Sequence, residues 1–217
     1  MRILLLSFVL CLSACCEVKE GPQPVPGHSK KVVVKLMDSL GMVALYIPER
    51  YDTAFVWEDD SDCNSCHHMN CRFQMKRNRA FEDGDYHFLG KPMDSVDQVT
   101  ISYQPYLYDM HDGDSAWVRE VNKWFREKLA AQGTPNADIL MDTCFTVHDR
   151  LFSLVGTRAD ILRLNRTCYE IAAVTTVRGK GISFKFEMIQ EKEDSVVKSL
   201  VPNAIDIIKT IRFSTPV

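Results

Sequence analysis

The stretch from Tyr169 to Ile189 constrains the fold of this chain more than any other. Tyr169 to Val177 alternates in polarity and is rich in β-branched residues, Arg178-Gly179-Lys180-Gly181 supplies a turn, and Ile182 to Ile189 runs back. Side chains in a strand point alternately to the two faces, so two such runs joined through glycine predict an antiparallel hairpin. A hairpin with an apolar face needs a layer to cover it. Other segments carry the same signal. Val32-Val33-Val34 and Met42 to Ile47 are β-rich on either side of Ser39-Leu40-Gly41, and Pro48 closes the second run. Ala54 to Trp57, Arg72 to Lys76 and Gln98 to Tyr103 read as further strands, and Phe145 to Val155 as two pieces around His148-Asp149-Arg150. The alternation at Arg72–Lys76 predicts a half-buried strand. Helical spacing appears twice. Ser115 to Ala131 places Trp117, Val121, Trp124, Phe125 and Leu129 on one face, with Asp114 or Ser115 as cap and Gly133 as stop. Ser195 to Ile211 aligns Val196, Leu200, Ala204, Ile207, Ile208 and Ile211, and Pro202 predicts a split or kink. The expected class is α+β, built on antiparallel strands.

The start of the chain fixes where this domain is expected to fold. Arg2 precedes an apolar run, Ile3 to Leu12, of about ten residues, half of what a bilayer span needs. Leu12-Ser13-Ala14-Cys15 follows and resembles the bacterial lipobox. Residues 1–14 then read as a lipoprotein signal peptide, and the resemblance implies acylation, palmitate included, at Cys15. Residues 15–31 read as anchor and tether, since Glu17 to Lys31 holds three prolines and two glycines, a semi-rigid spacer composition. Residues 32–217 read as one α+β domain. The expected location is the cell envelope, lipid-anchored, with the domain outside the cytoplasm. Cleavage before Cys15 removes Arg2 as its only charge, so 26 basic side chains become 25 against 29 acidic ones, net −4. That balance gives nucleic-acid binding no electrostatic support.

Four pieces together resemble the PsbP-type fold. They are Gly41-Met42-Val43-Ala44-Leu45-Tyr46-Ile47-Pro48, Gln98 to Tyr103, the hairpin Tyr169 to Glu187, and Ile205-Asp206-Ile207-Ile208-Lys209-Thr210-Ile211-Arg212-Phe213. The resemblance implies an antiparallel β-sheet flanked by helices on both faces, an α/β/α sandwich, and a binding or assembly role. It carries over no functional residue.

One segment is dense in reactive side chains: Asp62-Cys63-Asn64-Ser65-Cys66-His67-His68-Met69-Asn70-Cys71. Three arrangements compete for it. Cys63-x-x-Cys66-His67 has the spacing for two thioether links and an axial ligand of c-type haem, with Met75, Met93, Met110 or His111 as distal ligand. Its flanks oppose a haem crevice, because Glu58 to Asp62 is acidic and Lys76-Arg77-Asn78-Arg79 basic. Cys63, Cys66, Cys71 and one of His67 and His68 also make a tetrahedral zinc set, if the thiolates stay reduced. The third arrangement is structural, with disulfides pinning a loop, and it suits an oxidising compartment best. Cys144 and Cys168 are then a second pair, and no cofactor is expected. Asp109 to Asp114 misses the spacing of a twelve-residue calcium loop. Tyr103, Tyr106 and Tyr108 around Pro105 suit an aromatic surface or plain packing. His148-Asp149 near Ser153 marks no nucleophile, and Asn165-Arg166-Thr167 is a glycosylation triplet without meaning in a bacterial lipoprotein.

The sequence therefore points to a non-enzymatic binding or assembly module held to a membrane through its lipid anchor, with an unidentified protein or small molecule as partner. The other class is a haem or thiol electron carrier built on Cys63, Cys66 and His67.

Overall fold

The computed structural model describes residues 26–36, 40–59, 68–76, 96–104, 114–131, 137–161, 165–190 and 195–214. Among them the order is β1 (Ser29–Lys35), β2 (Met42–Pro48), β3 (Thr53–Asp59), β4 (His68–Gln74), β5 (Val96–Gln104), α1 (Asp114–Ala131), β6 (Ala137–Val147), β7 (Arg150–Ile161), β8 (Arg166–Val177), β9 (Lys180–Gln190), α2 (Ser195–Lys209) and β10 (Arg212–Ser214). The strands form two sheets. One has the order β1-β2-β10, the other β3-β4-β5-β9-β8-β7-β6. Every pairing is antiparallel.

This corrects the expected architecture of one antiparallel sheet flanked by helices on both faces. The described chain is predominantly strand, with two helices, and a second sheet shares the covering role. The physical reason lies in β2. Its inward side chains Val43, Leu45 and Ile47 are fully buried, so the β1-β2 pair brings its own apolar face to the core. The core cluster joins these to Val99, Ile101 and Tyr103 of β5, Ile182, Phe184 and Phe186 of β9, Ile171 and Ala173 of β8, and Phe152 and Leu154 of β7. Leu200, Ala204, Ile207 and Ile208 of α2 complete it. Aromatic rings run across the layers: Phe145 stacks on Phe152, Phe152 tilts against Phe184, and Phe184 meets Phe213 of β10 edge-on. The other helix, α1, packs on β6, β7 and β8, with Val118 and Val121 buried.

The turns explain the hairpins. Arg178 and Gly179 both have positive φ between β8 and β9, as do His148 and Asp149 between β6 and β7. Two consecutive positive φ values make the turn whose twist matches paired strands. β1 begins inside the stretch read as tether, because Lys30 and Lys31 pair with Ile47 and Tyr46. α2 continues through Pro202, which lies exposed, rather than splitting there.

Candidate functional site

Alternation gives the seven-stranded sheet two unlike faces. The face toward β2 and α2 is apolar. On the other, register lines up polar side chains across four neighbouring strands. Gln74, Gln98 and Glu187 form one row. Arg72, Thr100 and Lys185 form the next, and Asn70, Ser102 and Ser183 the third, with Trp57 opposite Asn70. Residues directly opposite one another on a sheet have Cβ atoms about 5 Å apart, so each row is in contact.

These groups are buried. Asn70, Arg72, Gln74, Gln98, Thr100 and Glu187 each keep 5% of their surface or less. Buried polar groups cost several kcal/mol on the order of their desolvation unless they are bonded, and charged ones cost more. The sheet meets that cost by locking them together. Gln98 Nε2 donates to Glu187 Oε2 at 2.8 Å. Lys185 Nζ sits 3.1 Å from Glu187 Oε1. Arg72 Nε donates to Thr100 Oγ1 at 3.2 Å, and its guanidinium lies over the Trp57 ring at 4.9 Å. Gln98 Oε1 and Trp57 Nε1 are among the buried polar atoms that have no hydrogen-bond partner among the described residues. Arg72 supplies positive charge in the adjoining row, and Lys185 lies between the buried rows and solvent, its side chain 35% exposed. The arrangement can hold an anionic or amide-bearing ligand group by charge and hydrogen bonds. Nothing in it pairs a nucleophile with a base.

Sequence reasoning missed this site. Arg72, Gln74, Gln98 and Thr100 fall on the polar side of alternating strands, which reads as a solvent face. A usable signal existed in composition: that side carries Gln, Thr, Asn and Arg in β4 and β5 where a solvated face is usually richer in Lys and Glu.

The residues singled out from the sequence are dispersed. Cys15, Cys63, Cys66 and His67 lie outside the described residues, as do Met93, Met110 and His111. His68 opens β4. Cys71 lies on the apolar side of β4, opposite Val56 and Ile101 and within the core cluster. Burial pushes its thiol up to about 11, which opposes the thiolate that zinc requires. Among the described residues no group of three or more His, Cys, Asp or Glu is placed to hold a metal. The pair Cys144 and Cys168 needs correction. No disulfide joins them. Cys144 stands opposite Ser153 and Cys168 opposite Ala159, six residues farther along β7, so roughly 20 Å separates their backbones. A disulfide needs Cα atoms within about 7 Å. Burial, with Glu187 and Glu170 adding to it, pushes the Cys168 thiol up to about 12. Cys144 is raised as well, first by burial.

A second polar cluster ties the two sheets. Tyr51, just past β2, donates to Asp97 Oδ1 at 2.5 Å. Arg50 Nε donates to Asp97 Oδ2 at 2.8 Å, and its guanidinium lies 5.0 Å from the Tyr51 ring centroid. Asp97 is the second residue of β5 and is buried. Burial, followed by the charge of Asp97, drives the Tyr51 phenol far above its ordinary range.

No family model and no curated protein matches the chain. Among solved structures it is similar to cyanobacterial PsbP (CyanoP) from Synechocystis sp. PCC 6803, at 14% identity and a TM-score of 0.46, over 90% of this chain and 99% of that one. It is also similar to the Ran-binding protein Mog1p of Saccharomyces cerevisiae, at 12% identity and a TM-score of 0.46, over 85% and 96%. A third is LpqN of Mycobacterium tuberculosis, involved in cell envelope biogenesis, at 11% identity and a TM-score of 0.40, over 89% and 99%. None of the three likenesses assigns an activity to this chain.

Proposed function

We propose that this chain is a cell-envelope lipoprotein, acylated at Cys15, that works by binding and carries no haem or metal. The buried polar rows of the seven-stranded sheet, approached from solvent past Lys185, are its recognition site, and a polar small molecule or peptide group its ligand. The observation that carries this reading is the pair of buried, unanswered atoms Gln98 Oε1 and Trp57 Nε1, set among charged groups that the sheet holds rigidly. Unsatisfied buried polar atoms are rare in folded proteins and mark a place where a further partner is expected. Cys71 and Cys168 are both held protonated well above neutral pH, so neither serves as a redox thiol in this reading. No helix among the described residues is long and apolar enough to cross a membrane; the anchor in this reading is the lipid on Cys15.

The test is a pair of mass spectra of the protein purified from the cell envelope. The denaturing spectrum is expected to show residues 15–217 with acyl chains and no haem. A bare chain would remove the anchor, and an added haem mass, lost in Cys66→Ser, would make the protein an electron carrier. The native spectrum is expected to show a non-covalent adduct that Gln98→Leu and Arg72→Met both lose. Absence of any adduct on the parent would remove the sheet face as a ligand site.

A further inference from the structure

The outer face of the three-stranded sheet has a composition unlike the rest of this acidic chain. Register and alternation place Lys31, Val33 and Lys35 of β1, Met42, Ala44 and Tyr46 of β2, and Arg212 and Ser214 of β10 on that side, opposite the fully buried Val43, Leu45 and Ile47. With Ser29 and Pro48, which share that side, three of the ten are cations and none is an anion, in a protein of net charge −3. Val33 and Met42, 54% and 44% exposed, are two of the five large apolar side chains that the described residues leave in solvent. Glu49 lies past the end of β2 and outside the sheet face. An apolar centre rimmed by lysine and arginine is the composition that anionic lipid headgroups attract, and Lys and Arg stems bury against apolar surface while their charges stay at the headgroup level.

The position of this face in the chain matches that chemistry. β1 is the first described strand, and only residues 16–28 separate it from Cys15. Thirteen residues extend to at most about 45 Å, so a lipid at Cys15 keeps β1 close to a bilayer surface. A surface held that near to headgroups faces a high effective concentration of them.

We infer that the outer face of the β1-β2-β10 sheet, through Lys31, Lys35 and Arg212 around Val33 and Met42, docks the domain on an anionic phospholipid surface. This rests on the proposed anchoring for its geometry, and its chemistry is testable without the anchor. The attraction falls within a Debye length of the surface, about 10 Å at 0.1 M salt, so it is salt-sensitive.

The probe is vesicles of phosphatidylcholine alone or with a third phosphatidylglycerol. The protein is the mature chain, residues 15–217 with Cys15→Ser, which contains every described element and no acyl chain. It is expected to sediment with the anionic vesicles and not with the neutral ones, and to release in 0.5 M salt. The triple variant Lys31→Glu, Lys35→Glu, Arg212→Glu is expected to bind on the order of a hundredfold more weakly. A control with Arg119→Glu, Lys123→Glu and Lys209→Glu, three exposed or solvent-facing cations elsewhere, changes net charge equally and is expected to bind as the parent does. Equal loss in both triple variants, equal binding to both vesicles, or no binding by the parent at low salt would overturn the inference. Thermal melting of each variant shows that it is folded. Acylation is read separately by intact mass, so failure of the docking face and failure of the anchor give different results.

Discussion

Asp97 accepts hydrogen bonds from two residues of the segment that follows β2, and through it the small sheet is fastened to the large one. A buried bond to a charged acceptor contributes about 2 kcal/mol, and its loss also leaves the acceptor short of a partner. Tyr51→Phe is therefore expected to lower unfolding free energy by about 2 kcal/mol in urea titration, with the m-value unchanged. The thiols make a prediction of opposite character. Cys71 and Cys168 titrate near 11 and 12 in the folded chain, against about 8.5 when unfolded. Between those values the unfolded chain has released protons that the folded chain keeps, so stability is whole below about pH 8.5 and falls as pH rises toward 11. Urea midpoints at pH 7.5, 9 and 10 are expected to decline, and the Cys71→Ala, Cys168→Ala chain to decline less. A flat series in the parent would contradict burial of these thiols. At this scale the sequence was least legible. Arg72 and Gln98 look like solvent residues in any reading of alternation, because period two tells which residues share a face and is silent on whether that face is later covered.

Turns and helices were legible to the degree that their residues leave a local mark. The β8-β9 hairpin could be read because Gly179 adopts its positive φ at no steric cost. The β6-β7 hairpin uses His148 and Asp149 for the same geometry, and without glycine it showed only as two strand pieces around a polar triplet. Asp149→Gly is expected to raise stability by about 1 kcal/mol, since the turn geometry favours glycine there. A fall in melting temperature would mean that the Asp149 side chain contributes more than its strain costs. Gly156 is the reverse case. A Cβ there would come within 2.8 Å of Met141 Cγ, where β6 shifts register between Ile139 and Met141. Gly156→Ala is expected to cost about 1–3 kcal/mol by overpacking, and Met141→Ala in the same chain to recover part of it. The split expected at Pro202 did not occur: α2 runs unbroken from Ser195 to Lys209, held by Leu200, Ala204, Ile207 and Ile208 on its buried side while the proline ring lies on the exposed one.

The partition of strands into two sheets left no local trace in the sequence. β2 pairs with β10 across some 170 residues, Met42 against Ser214, and no composition or period reports such a partner. The strands themselves were mostly recognised; their assignment to layers was not, and that is why a single sheet between helices was expected. The chain that results has its first and last described strands on either side of β2. Thr210 fastens this arrangement from the helix side, accepting from Tyr46 N–H and donating to Ile207 C=O at the end of α2.

That strand order sets a schedule. A chain delivered N-terminus first presents β1 and β2 early, yet the third strand of their sheet is made of residues 212–214, which follow every other described element. Until then β2 has one open edge, Val43, Leu45 and Ile47 lack part of their cover, and Phe213 is missing from beside Phe184. Closure of the β1-β2-β10 sheet thus waits on residues 212–214, and a chain that lacks them declares itself at the open edge of β2.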